Sequence, residues 1–201
     1  MPKSLTPFET LLRHCEENEI IHHSNADAKF IHFNMWGDAA LYKVWWEITG
    51  DEFSMDLILP VVAIDEKMRP LVMELLTLAN NSNAVRFGHF NLDLSDGGIA
   101  FNTYYPIGEA GLEDKTVENL FYAALIDCDF LFPAIMRVIF GGLTPKDAMD
   151  SAWLDLESEM VDDTKTPALA QERPTAKKTR RPRKKNAHPK GEGTDRPPKD
   201  R

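Results

Sequence analysis

The residues that could do chemistry fall into four groups. The densest is Lys177, Lys178, Arg180, Arg181, Arg183, Lys184 and Lys185, seven cations in nine positions. Such a run contacts nucleic acid or another polyanion by displacing counterions, with a log–log salt slope of about −6 on duplex DNA if every cation pairs with a phosphate. The contact would be nonspecific, since the surrounding tail has no aromatic ring to stack on a base and nothing to read base edges. The same run also reads as a solubilising tail attracted to an acidic body. A second group is His22, His23 and His32, with Asp27 between them. Cross-strand proximity of His22 and His32 is conceivable, but a metal centre needs three or four ligands, so no metal is expected. The third is Cys15 and Cys128, each on a helical apolar stripe with no base nearby in sequence; buried thiols are expected rather than nucleophiles. Serine-nucleophile, phosphate-loop and dinucleotide patterns are absent.

The fourth group is the adjacent pair Trp45 and Trp46. Neighbours on a strand point to opposite faces. Trp46 goes with Tyr42, Val44 and Ile48 and reads as core. Trp45 goes with Lys43 and Glu47, and the expected strand register adds Phe30, Trp36, Ile58 and Tyr104. An apolar patch with a polar rim on a sheet face is a candidate partner-binding surface, with Trp36, Trp45, Ile58 and Tyr104 as its residues. The competing expectation is that a terminal helix covers this face through Trp153 and Leu156.

The elements that must hold these residues follow from charge and periodicity. Charge divides sharply: residues 1–163 hold 28 acidic and 10 basic residues, and 164–201 hold 4 acidic and 13 basic ones, within a net −9. The tail has six prolines and no aromatic, too little apolar surface to offset ordering entropy, so it reads as a disordered basic Pro-rich segment after a folded domain at 1–163. Residues 1–14 lack a signal-peptide core and no run approaches about 18 apolar residues, so a cytoplasmic protein without membrane contact is expected.

Thr6-Pro7-Phe8-Glu9 is a capping-box start for a helix carrying Phe8, Leu11, Leu12 and Cys15. Alternation over 31–35, 42–48 and 53–61 predicts three successive antiparallel strands, with a short extra strand conceivable at 20–24. A helix starting near Asp65 carries Met68, Leu71, Val72, Leu75, Leu76 and Ala79 on one stripe. Phe90, Leu92 and Leu94 alternate as a strand, Asp96-Gly97-Gly98 turns the chain, and Ile99, Phe101, Thr103 and Tyr105 return as the second strand of a hairpin. A helix from Asp114 is expected to kink or restart at Pro133, and Thr144-Pro145 caps a last one.

With these elements placed, the stretch from Met55 to Asp150 resembles the YbjN family, whose fold is similar to that of class I type III secretion chaperones. The resemblance rests on Asn80 closing the middle helix, Gly88-His89-Phe90-Asn91-Leu92-Asp93, Asp96-Gly97-Gly98-Ile99, Phe132-Pro133-Ala134, and Gly141 followed by Thr144-Pro145 and Ala148. It implies an α+β fold, an antiparallel sheet of about five strands with helices packed on it in the order α-βββ-α-ββ-α(α). It also implies a bacterial protein with no cofactor that binds other molecules rather than catalysing a reaction. The expected partner is a protein or peptide segment, with the chain as a homodimer; the alternative is a regulator whose tail touches nucleic acid. The longer 81–86 connection and the basic tail depart from the family pattern.

Overall fold

The computed structural model describes residues 5–83 and 85–163. Helix α1 spans Pro7–Glu17, and its start follows the sequence closely: the Thr6 hydroxyl accepts from the Glu9 N–H while the Glu9 carboxylate accepts from the Thr6 N–H. Strands β1 (His22–Asn25), β2 (Phe30–Trp36), β3 (Leu41–Thr49) and β4 (Glu52–Val62) follow, then α2 (Arg69–Asn80), β5 (His89–Leu92), β6 (Gly98–Pro106), α3 (Asp114–Ile139) and α4 (Pro145–Asp163). The six strands form one antiparallel sheet in the order β1-β2-β3-β4-β6-β5. The fold is therefore α+β, with one strand more than the sequence count, the short β1.

Alternation decides which face of the sheet is core. Ile31 and Phe33, Tyr42, Val44, Trp46 and Ile48, Phe53, Met55, Leu57 and Leu59, and Ile99 and Phe101 are buried on one side. Helices α1, α2 and α3 pack there, with Leu11, Val72, Leu75, Val117, Phe121, Leu131 and Ile135 buried. The rings of Phe33, Phe53 and Phe121 meet Trp46 edge-on, at 4.9, 6.1 and 5.5 Å. Edge-to-face pairs add about 0.5–1.5 kcal/mol each beyond their burial.

Three expectations are corrected. Helix α2 begins at Arg69, not near Asp65. Asp65 instead closes a turn, accepting from Met68 N–H at 2.8 Å and from Lys67 N–H on its carboxylate at 2.9 Å. Pro70 then sits in the first helical turn, where its missing N–H is not needed. The second correction is that α3 runs unbroken through Pro133. An interior proline costs about 3 kcal/mol, and burial of Leu131, Ala134, Ile135 and Val138 around it offsets that locally. Third, β5 ends at Leu92, and Leu94 lies exposed in the turn. Gly97 makes that turn at φ +83°, so close to Ala63 that a Cβ would collide with its carbonyl.

Candidate functional site

The side of the sheet opposite the core is free of helices among the described residues. Helix α4 does not cover it: Trp153 packs on Phe130 of α3, centroids 4.9 Å apart, and α4 lies against α2 and α3. Trp36 (72% exposed), Tyr104 (56%) and Ile58 (39%) are consequently open to solvent, while Trp45 is half-buried on the same face. The register brings Trp45, Ile58 and Tyr104 onto three adjoining strands, with Trp36 at the β2 end. The basic run Lys177–Lys185 lies outside the described residues.

The register also shows what single-strand reading could not. His23 pairs with His32, His32 with Trp45, Trp45 with Asp56, Asp56 with Asn102, and Asn102 with His89, one row crossing all six strands. The first half of this row is a ring stack. His23 and His32 centroids are 5.1 Å apart, His32 and Trp45 are 5.1 Å apart and within 8° of parallel, and Phe30 stacks on Trp45 at 4.7 Å. These spacings are close to the 4.7–4.9 Å between strands, so the rings stand on edge and cover one another's faces. Such a row offers ring edges to a partner. It is poorly suited to stacking nucleobases, which needs free ring faces.

The second half is polar. Asn102, buried although on this face, donates to the Asp56 carboxylate and accepts from the Asn91 amide. Tyr104 and His89 stack beyond it, centroids 6.1 Å apart. His32 is the titratable centre of the face. Its pKa is lowered, first by desolvation within the stack and then by the charges of His23 and Lys43. The expected proximity of His22 and His32 is off by one residue. His22 pairs with Phe33, and its ring meets the Ile20 carbonyl at 2.9 Å. Among the described residues no three His, Cys, Asp or Glu side chains converge as a metal site.

Other polar groups hold the scaffold. Asp129 of α3 accepts from the N–H groups of Asp38 and Ala39 at 2.8 and 3.0 Å and from the Tyr42 hydroxyl at 2.7 Å, fixing the β2–β3 turn. Burial, then the bond to Asp129, pushes the Tyr42 phenol up. Burial pushes the Cys15 thiol up to about 12 and Cys128 well above its ordinary value, so both stay protonated and unreactive.

The model of the YbjN family, described as "Putative bacterial sensory transduction regulator", matches residues 7–137, more than half of the chain. The chain belongs to the YbjN family. Among solved structures, "Crystal structure of YbjN, a putative transcription regulator from E. coli" is 12% identical, covers 69% of this chain and 93% of its own, and superposes with a TM-score of 0.42. A search of curated proteins finds no match. The YbjN match spans α1 to nearly the end of α3 and so includes the whole open face. No helix among the described residues is long and apolar enough to cross a membrane.

Proposed function

We propose that this YbjN-family chain is a non-enzymatic regulator or adaptor that binds a protein segment on the open face of its sheet. The observation that carries this reading is the helix-free face itself. Large side chains, Trp36, Ile58 and Tyr104, stand in solvent around an ordered ring row, with Lys43, Glu47 and Asp56 as a polar surround. Contiguous apolar surface rimmed by polar groups marks interaction sites. Trp45 fixes the row and the exposed trio supplies contact area. The test is capture of partners from native lysate by the full chain and by Trp45→Ala and Trp36→Ala/Tyr104→Ala variants, with circular dichroism as the folding control. Loss of captured protein in folded variants supports the reading; undiminished capture removes this face from it.

A second reading is favoured by the segregation of charge in the sequence. The run Lys177–Lys185 would give a regulator a salt-sensitive, sequence-independent hold on nucleic acid. Replacing its seven cations by Gln in the full chain should abolish retention on DNA or RNA at low salt. Retention that survives would overturn this reading.

A further inference from the structure

The two edges of the sheet are finished differently. At the β5 edge, the Asn80 side chain takes both backbone groups of Phe90, accepting from its N–H at 2.8 Å and donating to its carbonyl at 2.9 Å. At the β1 edge, β2 is the strand neighbour on one side, and no described strand lies on the other. An antiparallel strand turns the N–H and C=O groups of alternate residues to each side, so β1 presents unpaired ladder positions outward. It carries none of the lysines, prolines or bulges that blunt edges.

Two further observations say what would fit there. The stacked row runs from Trp45 through His32 to His23 and stops, one ring per strand. His23 is exposed, and an added strand would place its in-register side chain about 4.8 Å further on, against the outer face of this imidazole. The chain flanking β1 is acidic: Glu16, Glu17 and Glu19 precede it and Asp27 follows it, all exposed. Of the nearby cations, Arg13 pairs with Glu17 at 3.7 Å and Lys43 sits over the Trp45 ring on β3, which leaves Lys29 in the β1–β2 turn. Ile21, 93% exposed, adds an apolar contact beside the strand. A planar cation satisfies both the ring and the charge, and guanidinium is the side chain that stacks flat while remaining charged.

We infer that the β1 edge, Ile21–Asn25, accepts an extended basic segment of another protein as a seventh strand, with an arginine stacked on His23. The site meets the open face only at His23, the last ring of its row, and its backbone contacts lie on the β1 edge, so its failure would leave the reading of Trp36, Ile58 and Tyr104 intact.

The test uses the full chain and a short capped peptide of alternating Thr and Val with one central Arg. Companion peptides carry Lys or Glu at the centre or an N-methylated backbone. Amide exchange and NMR titration should show new protection at His22–Asn25. The Arg peptide should bind about tenfold more tightly than the Glu peptide at low salt, the N-methylated one should fail, and His23→Ala should weaken the Arg peptide about fivefold. Protection at β5 or on the open face, equal binding of the N-methylated or Glu peptide, an unaffected His23→Ala variant, or no binding at millimolar peptide would each overturn the inference.

Discussion

The Asn80 side chain behaves as a surrogate β-strand residue for Phe90. Its amide supplies one donor and one acceptor, and both backbone groups of Phe90 use them at 2.9 and 2.8 Å. Asn80 is the last residue of α2, so the helix delivers this side chain to the sheet edge at the point where it ends.

Asn80→Ala leaves that N–H and carbonyl without their partner and should destabilise the domain by about 2 kcal/mol, seen as a lower urea midpoint. Asn80→Asp keeps the acceptor but loses the donor, and its carboxylate would face the Phe90 carbonyl. It should therefore be no better than Ala at neutral pH. A variant as stable as the parent would show that solvent serves Phe90 equally well. Both variants should also self-associate more readily, because the β5 edge is uncovered.

Asp129 carries a heavier load. Three donors, Asp38 N–H and Ala39 N–H from the β2–β3 turn and the Tyr42 hydroxyl from β3, converge on its carboxylate. Charge-assisted bonds contribute about 1.5–3 kcal/mol each to groups they satisfy, though not additively. Asp129→Ala should lower stability by about 3 kcal/mol and speed amide exchange at Asp38 and Ala39 more than elsewhere. Tyr42→Phe removes one donor and should lose only about 1 kcal/mol. Equal losses for the two variants would count against this account.

These interactions show where sequence reading reached and where it stopped. Local rules sufficed for the Thr6–Glu9 capping box, and strand parity sufficed to send Trp46 inward and Trp45 outward. Neither rule could pair His23 with His32. That register is set by the turn between β1 and β2, where the Asn25 side chain accepts from the Asp27 and Ala28 N–H groups and Lys29 adopts φ 52°. A one-residue difference in this turn would have brought His22 to the open face instead. Asn80 was visible as a mark of the family, but its bond to Phe90 depends on how the 81–88 connection returns the chain. Pro133 misled because local propensity weighs against it while tertiary burial of its neighbours prevails. Asp129 gave no signal at all, since its donors lie about ninety positions away in sequence.

Asp127 gives the domain a pH dependence that can be isolated. It is buried on α3, where desolvation raises its pKa from 3.8 to about 6 against the opposing influence of the Arg86 N–H and charge. Between those two values the folded chain binds more protons than the unfolded one, so this group's contribution is complete below pH 3.8 and is lost as pH rises through 6. The shift corresponds to about 3 kcal/mol, and solvent screening of a carboxyl near the surface reduces the loss to the order of 2 kcal/mol. Asp127→Asn keeps an acceptor for Arg86 and cannot ionise. It should be more stable than the parent at pH 8 and no more stable at pH 4, by urea titration at each pH. A stability difference independent of pH would place the effect in packing rather than ionisation.

His32 acts in the opposite direction. Its pKa is lowered from 6.5 by desolvation and by His23 and Lys43, so the folded chain binds fewer protons than the unfolded one just below pH 6.5. Stability from the neutral ring is therefore present above 6.5 and is lost as pH falls through the lowered value. Protonating His32 would set a positive charge beside Lys43 and against the His23 ring, whose centroid lies 5.1 Å away. Because β1 is held in the sheet by β2, the strain should appear there first, as faster amide exchange at His22–Asn25 in mild acid. His32→Gln should remove the acid sensitivity of β1 while leaving the exchange of α3 unchanged. Acid-accelerated exchange that persists in His32→Gln would locate the sensitivity outside the ring row.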